Sequence, residues 1–151
     1  IASSIEMVIA QRLVRRLCHV CSSRADLEEG QFRANLTLVG VSDEELAYGD
    51  KVLRSVGCQQ CQNLGYRGRV GIFEIMPMSD AIHSLVIKNA AAPDIRRVAI
   101  EEGMRSLQLS GWEQIKRGLT TFDEVLRYSD SFGEENGKGH HQETSSVPQS
   151  L

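Results

Sequence analysis

Residues 57–74 read GCQQCQNLGYRGRVGIFE, a C-x-x-C pair followed closely by a strand-like segment. The β-branched and aromatic residues of Arg69–Met76 predict a β-strand, and Pro77 ends it. Gly57 and Gly65 stand on either side of the cysteine pair and supply the backbone freedom that tight turns need. The stretch therefore predicts a cysteine-bearing turn that leads into a strand.

A second C-x-x-C pair lies upstream, with 36 residues between Cys21 and Cys58. Two residues between thiols let one tight turn present both sulfurs to a single ion, and two such turns complete the tetrahedral sulfur site that suits zinc. Four thiolates leave no open coordination position, so the predicted zinc is structural. Two disulfides or four unlinked cysteines are the alternatives that the spacing leaves open. The predicted zinc ligands are Cys18, Cys21, Cys58 and Cys61.

The chain has 151 residues, 41% of them hydrophobic and 25% charged, which is the balance of a globular protein. Its net charge of −3 gives no large attraction to nucleic acid or anionic lipid, so no nucleic-acid partner is expected. No apolar stretch approaches the roughly 18 residues that span a bilayer, and no signal-peptide pattern is present. We therefore expect a cytoplasmic protein in a reducing compartment, where paired cysteines bind metal more often than they form disulfides. Its start at Ile1 suggests a piece of a longer protein.

Capping-box spacing predicts two helices in the first third of the chain. Ser3 and Glu6 precede an apolar run, so Ser3–Gln11 is predicted to be the end of an apolar helix. Arg12–Leu17 reads either as a continuation of this helix or as a strand that leads into the first cysteine pair. Between the cysteine pairs the same spacing predicts a short helix over 43–48.

Four helices are predicted after the strand. Their markers are, in chain order, a cap at Ser79, Pro93 in a first turn, a stop at Gly118 for the helix over roughly 105–117, and Thr121 with Glu124 in capping-box spacing. Residues 130–151 have almost nothing to bury and are predicted to be disordered.

No catalytic motif is apparent in the sequence. There is no G-x-x-x-x-G-K-[ST] phosphate-binding loop, and the nearest stretch, Gly133–Lys138, is one residue short and is interpreted as chance. No nucleophile motif or carboxylate pair stands out. His19 is predicted to face solvent because two cysteines already fill its turn. His83 is predicted to lie on a helix beside Ile82, at the boundary between buried and exposed residues, and His140–His141 to lie in a solvated tail.

Three groups of residues, in this order, carry a family resemblance. They are IAQRLVRRLC at residues 9–18, GCQQC with GYRGRVGIFE at residues 57–61 and 65–74, and EGMRSL with GLTTFDEVLR at residues 102–107 and 118–127. Together they resemble the bacterial type II secretion ATPase, the E protein of the general secretory pathway, and its type IV pilus assembly relatives. The resemblance covers roughly residues 1–128 and departs at His19, where many members carry proline.

The resemblance implies an α+β fold in which residues 1–17 and 67–78 are the terminal helix and strands of a RecA-like ATPase domain. In the family the zinc module is inserted between neighbouring strands, so the resemblance implies that Arg12–Leu17 and Arg69–Met76 are adjacent strands. Residues 18–66 are then an inserted zinc module, and residues 79–129 are a helical subdomain that packs separately. The family's phosphate-binding loop, acidic boxes and histidine box lie upstream of Ile1. ATP and Mg²⁺ therefore belong to the parent protein, and this chain alone should not hydrolyse ATP.

The resemblance also implies a function in coupling rather than catalysis. ATP turnover in a homo-hexamer would move this part, which would pass force to the cytoplasmic domains of inner-membrane secretion or pilus proteins and lie at the membrane through them. The alternative is a free-standing zinc-ribbon adaptor for protein or nucleic acid, with Arg54, Arg67 and Arg69 as its basic patch. Net negative charge and the lack of interleaved aromatic residues disfavour it. A thiol–disulfide protein is disfavoured because neither C-x-x-C follows a strand and opens a helix.

Overall fold

The structure, a computed structural model, describes residues 4–127. Ser3 with its predicted cap, and the tail predicted over 130–151, lie outside the described residues. The described part mixes helices and strands, which confirms the predicted α+β class. None of its helices is both long and apolar enough to cross a membrane. Its elements are β1 (Met7–Leu17), β2 (Ser23–Arg24), α1 (Glu29–Leu38), a 3-10 helix (Asp43–Lys51), β3 (Leu53–Arg54), a 3-10 turn (Gln59–Cys61), β4 (Tyr66–Pro77), α2 (Asp80–Ile87), α3 (Ala92–Glu101), α4 (Leu107–Lys116) and α5 (Phe122–Leu126).

β1 and β4 form a long antiparallel pair. Arg12 lies opposite Ile72, and Val14 lies opposite Val70. Val14 and Ile72 are both buried and form a small core with Leu107 of α4. The prediction that the segments at 12–17 and 69–76 are adjacent strands is therefore confirmed.

The helix predicted over Ser3–Gln11 is wrong, because Met7–Gln11 is the first part of β1. Met7 already lies opposite Pro77, so β4 pairs with this segment along its whole length. That pairing satisfies the backbone N–H and C=O groups that face β4, and the β-branched residues favour extended backbone. Capping-box spacing is a local signal, and pairing with a distant strand overrides it.

Residues 18–65, called the excursion below, leave the β1–β4 pair and return to it. β2 and β3 form a two-residue ladder inside it. α1 is an element that the sequence analysis does not predict, since it lacks a side-chain cap and Gly30 weakens it. It forms because Phe32 and Leu36, about one turn apart, are both buried. The short helix predicted over 43–48 is present within the longer 3-10 helix.

All four helices predicted after the strand are present. The Ser79 hydroxyl accepts a hydrogen bond of 3.2 Å from the N–H of Ile82 at the start of α2. Ser106 caps α4 in the same way through the N–H of Leu109, also at 3.2 Å. Pro93 lies in the first turn of α3, as predicted. These starts depend on contacts within one turn, and the sequence alone predicts two of them, at Ser79 and at Pro93.

Among the described residues, the helices after β4 contribute to different buried clusters and do not share a single core. The largest buried cluster contains Phe32, Leu36, Val39 and Val52 of the excursion together with Trp112, Ile115, Phe122 and Val125 of α4 and α5. The expectation that the helices pack apart from the excursion is therefore wrong for α4 and α5. Only α2 and α3 form a cluster of their own, built on Ile82, Ala99 and Met104. The reason is size, since the excursion alone is too small to enclose a core.

Candidate metal centre

The four predicted cysteines come together where the excursion leaves and rejoins the strands. Their Sγ atoms all lie within 4.8 Å of one another. The separations are 4.0 Å between Cys18 and Cys58, 3.8 Å between Cys21 and Cys61, and 3.7 Å between Cys58 and Cys61. A tetrahedral zinc ion with Zn–S bonds of about 2.3 Å places its sulfurs about 3.8 Å apart. This sulfur cage therefore has the size and donor set that zinc requires.

All four cysteines are free thiols in the structure. Disulfide sulfurs lie about 2.05 Å apart, so the separations in the cage do not fit the alternative of two disulfides. His19 is exposed, as predicted, and is not part of the cage. His83 is half-buried on α2, again as predicted. The stretches Gly133–Lys138 and His140–His141 lie outside the described residues.

Two glycines shape the turn that carries the second cysteine pair. Gly57 has a φ of 121° and Gly65 a φ of 75°, values that other residues rarely adopt. A Cβ at Gly57 would lie 2.8 Å from the backbone oxygen of Asn63, and one at Gly65 would lie 2.6 Å from the Cβ of Ser55. The predicted need for glycine at both positions is confirmed.

Backbone N–H groups are directed at the cage sulfurs. The N–H of Gly57 donates to Cys21 Sγ at 3.3 Å, and the N–H groups of Cys58 and Gly65 donate to Cys61 Sγ at 3.2 Å each. Burial raises the pKa of Cys61, but the hydrogen bonds together outweigh it and lower that pKa to about 6. At Cys21 burial prevails over the single N–H donor and raises the pKa to about 11. The turn thus favours a thiolate at Cys61, which is the form that binds metal.

The two ends of the excursion meet at the cage, and the loop before α5 lies against them. The N–H of Cys18 donates to the oxygen of Gly65 at 3.0 Å. The N–H of Leu17 donates to the oxygen of Leu119 at 2.8 Å. The cysteine pairs are therefore held in place by the segment before α5 as well as by their own turns.

Thr121 belongs to this attachment and does not cap α5. Its hydroxyl shares a hydrogen bond of 3.0 Å with the hydroxyl of Tyr66, the first residue of β4. α5 has no side-chain cap bond, so the capping box predicted from Thr121 and Glu124 is wrong. The hydroxyl and the carboxylate instead bind groups on the two long strands.

Glu124 is a buried carboxylate whose role the sequence analysis missed. Its side chain is 2% exposed. Its oxygens accept a hydrogen bond of 2.9 Å from the backbone N–H of Arg15 and one of 2.6 Å from the Arg15 guanidinium. Burial would raise the pKa of Glu124, but these bonds and the charge of Arg15 more than offset it and hold the pKa below its usual range. The sequence feature that could have drawn attention to Glu124 is its place in the GLTTFDEVLR stretch, one of the groups of residues that carry the family resemblance.

The three arginines that the alternative adaptor hypothesis names as a basic patch lie on the surface. Arg54, Arg67 and Arg69 are all exposed. Within residues 4–127 the four cysteines form the one cluster of side chains suited to hold a metal. The chemistry that the described residues offer is therefore the sulfur cage.

The part of the chain that resembles known proteins is nearly the same as the part that the structure describes. Residues 1–127 match the model of the type II/IV secretion system protein family. The type IV pilus assembly ATPase PilB of Myxococcus xanthus is 38% identical over 126 residues, which are 83% of this chain and 22% of that protein. Type II secretion system protein HxcR of Pseudomonas aeruginosa is 39% identical over 127 residues, 84% of this chain and 22% of that protein.

Type II secretion system protein E of Aeromonas hydrophila is 35% identical over 127 residues, 84% of this chain and 24% of that protein. The chain thus spans less than a quarter of the length of these three relatives. Because the family model and the relatives cover the same large share of its residues, this chain belongs to the type II/IV secretion system protein family.

Proposed function

We propose that this chain is the zinc-binding, force-coupling carboxy-terminal part of a hexameric ATPase that powers type II secretion or type IV pilus assembly. The observation that carries the proposal is a four-sulfur cage of zinc dimensions inside a chain that matches proteins of these machines. The relatives are named as type IV pilus assembly ATPases and type II secretion system proteins, and the same machinery is proposed here.

Zinc has a structural role in this proposal. Cys18, Cys21, Cys58 and Cys61 would hold the ion, and its bonds to sulfur would cross-link both ends of the excursion. Four sulfur ligands leave no position for water or substrate, so the ion carries no reaction. The excursion has little core of its own, and metal binding therefore supplies part of its folding free energy.

ATP and Mg²⁺ are proposed to bind in another part of the protein. The chain covers 22% to 24% of the three relatives, and its sequence has no phosphate-binding loop. We assign residues 1–17 and 67–78 to the end of a RecA-like domain, 18–66 to an inserted zinc module and 79–129 to a helical subdomain.

The surface of the β1–β4 pair supports this assignment. Ile9 lies opposite Ile75, and the side chains of both are exposed. Met7 and Phe73, at other positions of the same alternating face, are exposed too. A sheet face with so many apolar residues suits a position inside a larger domain, where further strands and helices cover it.

The proposed partners are the other subunits of a homo-hexamer and the cytoplasmic domains of inner-membrane secretion or pilus proteins. In this role the protein would be cytoplasmic and would reach the inner membrane through those partners. Packing supports this role, since Leu107 of α4 lies in one small core with Val14 of β1 and Ile72 of β4. The excursion, α4 and α5 share a second core. A displacement of the strands would therefore move α4 and, with it, the rest of that second core.

The proposal is tested first by metal content. Elemental analysis of protein purified without added metal is expected to give close to one equivalent of zinc per chain, and Cys58→Ser is expected to lose most of it. The same substitution, made in the chromosomal gene of a host strain, is expected to abolish secretion or pilus assembly. A folded wild-type chain that contains no zinc would contradict the proposed site, and undisturbed secretion and piliation in the substituted strain would contradict the proposed role.

A further inference from the structure

We propose that α4 and α5 belong to the zinc unit: metal binding at the cysteine cage and the packing of these two helices stabilise each other, whereas α2 and α3 fold without help from the metal. The inference rests on the proposed zinc site and extends it to a segment that contains no ligand. The part of the chain that responds to zinc would then include the end of the helical subdomain but not its beginning.

An aromatic cluster joins the excursion to α4 and α5. The ring centroids of Phe32 in α1 and Trp112 in α4 are 6.1 Å apart. Trp112 is stacked on Phe122 of α5, with the centroids 5.6 Å apart. Trp112 is 2% exposed, so its ring is enclosed from both sides. Unfolding of the excursion would expose the apolar faces of both helices, which then lose the burial that stabilises them.

Lys116 of α4 adds a charged link to the excursion. Its Nζ lies 3.2 Å from Glu45 Oε1 in the 3-10 helix and 3.1 Å from Glu113 Oε1 of α4. The same Nζ lies over the ring of Tyr48, 5.1 Å from its centroid. α4 is therefore attached to the excursion by ionic and cation–π contacts as well as by its apolar side chains.

The segment before α5 reaches the residues next to the cage. Leu119 accepts the N–H of Leu17, which directly precedes the first ligand. Thr121 bonds to Tyr66, which directly follows the glycine whose N–H donates to Cys61. The buried Glu124 then fixes the start of α5 to β1 through Arg15. We assign Glu124 the role of a positioning residue, which holds the ends of the excursion in the geometry that the four sulfurs need.

Within residues 4–127, α2 and α3 share no buried cluster with the excursion. Their core of Ile82, Ala99 and Met104 is completed by neighbouring residues such as Met76 and Met78. None of these five residues belongs to the cluster around Trp112. The metal therefore has no shared core through which to stabilise them.

A matched pair of substitutions separates the two groups of helices. Ile115 of α4 and Ile82 of α2 are both 0% exposed, and Ile→Ala removes the same atoms at each position. Because binding and packing are linked reciprocally, Ile115→Ala is expected to raise the zinc dissociation constant by about tenfold or more. Ile82→Ala is expected to leave it within about threefold of the wild type. Competition with a chromophoric chelator, on the whole chain, measures both constants.

A second pair tests the positioning residue. Glu124→Gln keeps the shape of the side chain but removes the charge that Arg15 meets, and it is expected to weaken zinc binding by about tenfold. Glu101→Gln on α3 removes a carboxylate from an exposed pair with Arg97 and is expected to leave zinc binding unchanged. Equal zinc dissociation constants for Glu124→Gln and Glu101→Gln would contradict the positioning role of Glu124.

Removal of zinc gives an independent readout. Trp112 is the one tryptophan of the chain, so its emission reports on the shared core without labelling. After chelation we expect a red shift of this emission and faster amide exchange in α4 and α5, with exchange in α2 and α3 preserved. Two results would overturn the inference. One is an amide exchange rate that rises equally in all four helices, and the other is a rate that does not rise in α4 and α5.

The outcomes also distinguish this inference from the proposed function. A wild-type chain that binds no zinc would refute the proposed zinc site itself. A wild-type chain that binds zinc, with equal constants for Ile115→Ala and Ile82→Ala, would refute only the link to α4 and α5. If Ile115→Ala does not fold, Ile115→Val replaces it and is compared with Ile82→Val, with the same direction expected and a smaller change.

Discussion

Gly111→Ala tests how closely α5 is packed against α4. A Cβ at residue 111 would lie 2.4 Å and 2.7 Å from the two methyl carbons of Val125. Favourable contacts between carbon atoms begin at about 3.5 Å, so α5 has to move by roughly 1 Å. Val125 is buried among aromatic rings and has no open space to enter. We expect the added methyl group to cost about 1–3 kcal/mol of stability through overpacking.

Gly30→Ala in α1 is the matched control, because a Cβ at residue 30 meets nothing within 4 Å. Both substitutions replace a helical glycine by alanine, which gains about 0.5–1 kcal/mol of helix propensity in the interior of α4 and less in the first turn of α1, where Gly30 lies. The clash at residue 111 costs about 1–3 kcal/mol and outweighs that gain, so Gly111→Ala should be the less stable of the two variants. Urea unfolding of the zinc-loaded chain, followed by circular dichroism, measures it. Equal stability of the two variants would refute the close contact, whereas a partial recovery on adding Val125→Ala would support it.

Three further predictions concern the cage and its supports. Gly65→Ala places a Cβ 2.6 Å from the Cβ of Ser55 at a residue whose φ is 75°. It should therefore lower the melting temperature of the zinc-loaded chain, which calorimetry measures, and weaken zinc binding, which chelator competition measures. Phe32→Ala should cost about 3–5 kcal/mol in urea unfolding and shift the emission of Trp112, and an unchanged emission would contradict their contact. The pKa of Glu124 is lower in the folded chain than in the unfolded chain, where it is about 4.3. Its ion pair with Arg15 therefore stabilises the folded chain at pH values above about 4.3, and this stabilisation is lost as the pH falls through the lower, folded-state pKa. Glu124→Gln should accordingly be less stable than the wild type at pH 7, with a gap that narrows towards pH 3, and a gap independent of pH would argue against a charged Glu124.

Local signals succeeded where the interaction they describe lies within one turn. Ser79 and Pro93 predict the starts of α2 and α3 because a cap bond or a fixed φ needs no distant partner. Capping-box spacing failed at Ser3–Gln11 and at Thr121, where β4 and Tyr66 offer competing partners from elsewhere in the chain. A pattern of four residues carries no information about those partners.

The sequence by itself determined the cysteine cage, its glycine-dependent turns, the adjacency of the two long strands and the family. The cage and its turns follow from spacing and backbone chemistry within the CHVC and GCQQC segments, and the strands and the family follow from the resemblance that surrounds them. Only the tertiary structure decided that α1 forms, that Glu124 is buried against Arg15, and that α4 and α5 share a core with the excursion. The physical reason is that apolar periodicity shows which face of a helix is buried but not what covers it. The partner that covers it is decided by long-range packing. Here the excursion is too small to enclose its own core, and α4 and α5 complete that core.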